Sequence, residues 1–184
     1  MWPDLSEPPS MGGGSKDAAV VVAIEDYNSV FDVPGAKANG LDWYSYLTDG
    51  RGIAASRVQL VTDNDATREG ISDAIDLARS AVKPGGTLWF VFIGHGAPAS
   101  DGQDGLLVGW DTQQTASSVY ARGLQQGEVL SMLEGGSQAQ TVAIPTRKPP
   151  SSSASRSGPV RFQLHQAVAA PVRMIRSSAA TIQS

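Results

Sequence analysis

The chain has no cysteine. That single absence excludes disulfides, thiolate metal sites and cysteine nucleophiles together. It has two histidines, His95 and His165, far apart and without a ligand pattern around either, so no zinc site is expected and no cofactor is implied. No apolar run approaches the ~20 residues that a membrane span needs, which excludes a transmembrane helix and a membrane partner. The amino-terminal MWPDLSEPPSMGGGSKD has neither a basic start nor an apolar core. Residues 1–17 therefore read as a flexible Pro, Gly and Ser lead-in rather than a secretory leader, and the expected location is cytoplasmic.

Acidic residues are missing from one region. All 18 acids precede residue 145, whereas Arg147, Lys148, Arg156, Arg161, Arg173 and Arg176 follow it. The break separates a domain at 18–144 from a basic tail at 145–184. PTRKPPSSSASRSGP has nothing to pack, and Pro171 interrupts any helix in VRFQLHQAVAAPVRMIR, so the tail is expected to be of low order. Its charges lack interleaved aromatics, and no nucleic-acid partner is expected.

What is present suits one globular domain, with 41% apolar and 17% charged residues. AAVVVAI (18–24), RVQLVT (57–62), TLWFVFI (87–93) and TVAI (141–144) have the length and β-branched or aromatic content of strands, the first buried on both faces. Ala36, Trp43, Tyr44 and Leu47 recur at helical spacing before Gly50 and Gly52. A second stripe, Ile71, Ile75, Ala78 and Val82, follows Thr67 as N-cap and stops at Pro84, Gly85 and Gly86. GLLVGWD (105–111) reads as a hairpin arm, and LQQGEVLSMLEGG as a short helix with a glycine stop. Strands alternating with helices require crossovers, and hence a largely parallel, three-layer α/β sheet.

In such sheets ligands bind at the carboxyl ends of the strands. WFVFIGHG places His95 there, between two glycines that permit a sharp turn and close approach of a substrate. His95 is either a general base in a cleft or a polar residue ending a strand. Other motifs fail on context. GGSQA precedes its strand and ends in alanine where a serine elbow needs glycine. DNDATREG lacks the sixth-place glycine and late glutamate of a calcium loop. MGGGSK lacks phosphate-loop spacing. A serine hydrolase using Ser151–Ser153 with His95 would need an elbow glycine that is not there.

The ordered set AVVVAIEDY, VPGAKANGLDWYSYL, RVQLVTDNDATREGI, TLWFVFIGHG and DGLLVGWD resembles the caspase-like cysteine peptidases, most of all the bacterial and metacaspase-type members. The resemblance covers about residues 18–144. It implies a three-layer α/β sandwich with a mainly parallel sheet and cleavage of peptide or protein substrates. His95 would be the imidazole that assists a thiol, and the Gly96 N–H would help hold the oxyanion. The nucleophile of that family follows the fourth strand in a segment resembling D-A-C-x-S-G. Here QTVAI leads into PTRKPP. The sheet is therefore expected to be incomplete and the chain inactive as a peptidase.

Two further departures concern substrate preference. The Asn-Asp pair common in the first helix of members that cleave after basic residues is Asn39-Gly40 here. The acid preceding the nucleophile is absent with its segment. Asp26, with Asp42 behind it, is the remaining candidate for a substrate-binding acid, against the reading of both as solvated surface acids. Two accounts of the whole follow: a truncated or frame-shifted peptidase whose coding sequence lost its register or its natural end near Ile144, or a non-catalytic caspase-like binding or regulatory module. The sequence leaves the oligomeric state open.

Overall fold

The computed structural model describes residues 12–100, 102, 104–144, 165–166 and 173–175. The expected lead-in at 1–11, and the low-order tail apart from its two short strands, lie outside the described residues. In chain order the elements are β1 (Ala18–Ala23), α1 (Ala36–Ser45), β2 (Val58–Thr62), α2 (Arg68–Ala81), β3 (Thr87–Ile93), β4 (His95–Pro98), β5 (Gly105–Leu107), α3 (Ala116–Arg122), β6 (Leu124–Gln125), α4 (Gln126–Leu133), β7 (Gln140–Ile144), β8 (His165–Gln166) and β9 (Arg173–Ile175).

The main sheet runs β2-β1-β3-β7-β9. The four strands expected from the sequence are parallel neighbours throughout, with Val21 beside both Leu60 and Val91, and Ile144 beside Val91. Among the described strands of this sheet only β9 runs antiparallel, along β7. The chain steps from β1 outward to β2 and then back across β1 to β3. Right-handed crossovers in opposite directions put α1 on one face of the sheet and α2 on the other. Arg68 of α2 donates to Glu128 of α4, which places α4 beside α2. With a helical layer on each side, all six residues of β1 are buried. The molecule is thus the expected three-layer α/β sandwich.

Local chemistry accounts for the main helices. The Thr67 hydroxyl accepts from the Gly70 N–H at 3.1 Å, satisfying a donor in the first turn of α2. Ile71, Ile75, Ala78 and Val82 are all buried beneath that helix. Helix α1 buries Ala36 and Trp43 and continues as a π-helical turn over Tyr46–Gly50. At Gly40 a Cβ would lie 2.5 Å from the Ala23 methyl, so glycine there lets α1 sit close on β1.

A second sheet, β6-β5-β4-β8, begins one residue after β3. The hairpin expected around Asp104–Gly105 is its β4–β5 pair, with Ala97 opposite Leu106. Residues just before β1, read as part of the lead-in, are tied down. The Gly14 N–H donates to the Arg51 carbonyl at 2.8 Å, and the side chain of Asp17 is buried.

Candidate functional site

The carboxyl ends of β1 and β3 converge on His95. The Ile24 N–H donates to the Ile93 carbonyl at 2.9 Å, so the loop after β1 starts beside the turn that carries the histidine. Gly94 makes that turn possible. A Cβ there would stand 2.6 Å from the Tyr27 hydroxyl and 3.1 Å from the Phe92 ring.

His95 is buried and held from three directions. Its backbone N–H donates to the Tyr27 hydroxyl at 2.8 Å, and that hydroxyl donates onward to the Val108 carbonyl at 3.2 Å. The Tyr27 ring packs on the imidazole, with centroids 4.9 Å apart and planes tilted by 41°. The imidazole Nε2 lies 2.6 Å from the Phe31 carbonyl oxygen. A carbonyl can only accept, so Nε2 carries a proton and, in the neutral ring, Nδ1 carries the lone pair. Nδ1 is buried and has no hydrogen-bond partner among the described residues. The arrangement fixes tautomer and orientation through one nitrogen and leaves the lone pair of the other without a partner among the described residues. Burial pushes the Tyr27 phenol well above its ordinary pKa, an effect only partly offset by the bond from His95, so it stays a neutral donor.

Gly96 is half-buried in β4, opposite Leu107 on one side and His165 on the other. Asp26 lies on the same loop as Tyr27, but its carboxylate is exposed and paired with Lys37 Nζ at 2.7 Å. Lys37 also pairs with Asp63 at 2.9 Å. The Asp63 Oδ1 accepts the backbone N–H groups of Glu25 and Asp26, joining the ends of β1 and β2. Partial burial pulls the Asp63 carboxyl upward, yet Lys37 and the two N–H donors outweigh it and hold the group below the usual carboxylate range. The two carboxylates hold Lys37 in its charged form above the usual lysine range. Asp63 accepts this role with φ at 41°, the left-handed region that a non-glycine residue enters at some cost. Asp42 is exposed on α1.

The structure therefore brings His95 and the Asp26 loop to one end of the sheet and leaves Asp42 outside the cluster. Reading the sequence missed Tyr27, the Phe31 carbonyl, Lys37 and Asp63. An aromatic hydroxyl in the EDYN loop after β1 and an aspartate directly after β2 were the available signals. Ile144, the last residue of β7, pairs with Val91, so β7 points its carboxyl end the same way as the strand leading to His95. Ser151–Ser153, and the segment where the family's nucleophile would follow, lie outside the described residues. Among the described residues no group of three or more His, Asp or Glu could hold a metal ion, and no helix is long and apolar enough to cross a membrane. No family model matches the chain, and no curated protein matches it.

Proposed function

We propose that this chain is a cytoplasmic caspase-like cysteine endopeptidase domain that keeps its base and lacks its thiol, and so does not hydrolyse peptide bonds. One observation carries the reading. His95 stands at the carboxyl end of a central parallel strand with Nε2 bound to a carbonyl and the Nδ1 lone pair without a partner. In the reaction of such enzymes the imidazole takes the thiol proton, the thiolate attacks the scissile carbonyl, and N–H donors such as that of Gly96 hold the oxyanion. Without an attacking atom there is no acyl intermediate. In a Ser/His/Asp protease, binding and oxyanion stabilisation alone retain only ~10³–10⁴-fold over water. Peptides with Arg, Lys or Asp before the scissile bond are expected to stay intact with the unmodified chain. A chain carrying an Asp-Ala-Cys segment after Ile144, with the rest of such a domain, is expected to cleave one of these classes and to lose that cleavage on His95→Ala. Strong cleavage by the unmodified chain that survives His95→Ala would overturn the proposal.

A second reading, a non-catalytic module that binds peptides, draws on Phe31. Its carbonyl is fixed by His95 while its side chain is 72% exposed at the rim of the site. Titration of unlabelled peptides against the isotope-labelled protein tests this reading. Saturable shifts centred on Phe31 and His95 favour the module, and an unchanged spectrum overturns it.

A further inference from the structure

Strand β2 is an outer strand of the main sheet, and among the described residues nothing pairs with its outer edge. Protein edge strands are usually guarded by charge, proline or a bulge. VQLVT has no charge and no proline, and its pairing with β1 is regular from Val58 to Thr62. The surface beside it mixes apolar and acidic groups. Leu60 is only partly buried on the side of α1, and on the other side Leu77 of α2, 59% exposed, lines an open groove with Val61, Ala74, Asp65 and Asp73. The two ends of the strand differ in charge. Arg57 stands at the amino end, half-buried, without an ion pair among the described residues and with a buried Nη1 that has no hydrogen-bond partner there. Asp63 and the exposed Asp65 stand at the carboxyl end.

We propose that β2 is a homodimer edge, at which two copies join antiparallel about a two-fold axis through Leu60. In that register Leu60 meets its own copy, Gln59 meets Val61, and Val58 meets Thr62. Arg57 of each copy then faces the end of the other that carries the exposed Asp65, the Asp63 carboxylate there being taken by Lys37 and two backbone N–H groups. A parallel arrangement would set Arg57 against Arg57. Outward-facing backbone groups alternate along an edge, and a dyad on the central residue maps either alternate set onto itself, so the ladder closes in pairs. The interface is isologous and stops at two copies. Leu77 flanks the seam.

Sedimentation velocity on the full chain between roughly 1 and 100 µM brackets the affinity of a modest interface. A reversible monomer–dimer equilibrium that weakens with salt is expected. Arg57→Glu should raise the dissociation constant roughly tenfold, because each of the two symmetric ends loses an opposite-charge cross-strand pair. Adding Asp65→Arg to that variant restores opposite charges and should recover most of the loss. Leu77→Asp should weaken the dimer by a similar factor. Amide protection across 58–62 should rise with concentration. A chain that stays monomeric throughout overturns the proposal. So does a dimer indifferent to these substitutions, growth beyond two copies, or an Arg57→Glu/Asp65→Arg variant no tighter than Arg57→Glu alone.

Discussion

The two ends of the parallel sheet are built on opposite principles. At the amino end, the buried Asp17 accepts from the Thr87 N–H at 2.9 Å, from Arg51 at 2.8 Å and from the Trp89 indole at 3.2 Å. The Arg51 guanidinium also lies over the Trp89 ring, 5.2 Å from its centroid. These partners share one carboxylate, and both of its oxygens are occupied. At the carboxyl end the imidazole is held equally firmly but keeps an unused valence at Nδ1, and the nearby ion pairs are partly open to solvent. A carboxylate with both oxygens occupied locks strands together, even though the Nε of its partner Arg51 is itself buried without a hydrogen-bond partner among the described residues. An oriented group with a valence to spare can act on something else. The same fold thus separates the saturated cluster from the open one by some 20 Å of strand, the rise of about six extended residues.

That contrast can be broken by substitution. Asp17→Ala should have the largest effect, about 3 kcal/mol less stability by urea unfolding, because it strands the Arg51 charge and two N–H donors at once. Gly94→Ala comes next. Its methyl must displace the Tyr27 hydroxyl or the Phe92 ring, for a loss of about 2 kcal/mol and altered ring signals of Tyr27. Tyr27→Phe removes the hydroxyl that joins His95 to Val108 and should cost about 1 kcal/mol. Asp26→Asn, at an exposed pair that Asp63 backs up, should change stability by less than ~0.5 kcal/mol. An Asp26→Asn loss as large as that of Asp17→Ala would erase the distinction between the two ends.

Alkali sharpens the comparison. Burial raises the Tyr27 phenol above its ordinary 10.0. The unfolded phenol therefore ionises first, and the stability this neutral group contributes is complete below pH 10 and falls as pH rises beyond it. Tyr27→Phe should flatten that part of the stability–pH curve. In acid the sign reverses for Asp63, whose folded pKa lies below its ordinary 3.8. Its contribution is present above that value and disappears as pH drops through the lowered one.

Much of the frame was legible because it is local. The α2 stripe, its Thr67 cap and the four strand runs each declare themselves within a dozen residues. Helix α3 was not read, since its seven residues bury only Ser118 and Val119 and show no full period. Strand β4 follows β3 with Gly94 alone between them, so no turn signal separated the two. His95 was legible as a residue at a strand end, but the contacts that orient its ring were not. Its partners Tyr27 and Phe31 lie 68 and 64 positions away, and hydrogen bonds across such distances leave no periodic trace. Asp17 reads as part of the lead-in for the same reason, as its partners Arg51, Thr87 and Trp89 are all remote in sequence.

The account rests most heavily on the state of one ring. Long-range nitrogen–proton correlation of the two histidines at neutral to alkaline pH, assigned with a His165→Gln variant, reads the tautomer of His95 directly. A proton on Nε2 with a bare Nδ1 is the predicted result, as the Phe31 carbonyl requires. A neutral ring protonated on Nδ1 would contradict it, because the Nε2 lone pair would then face the Phe31 carbonyl oxygen, and two acceptors cannot share a hydrogen bond.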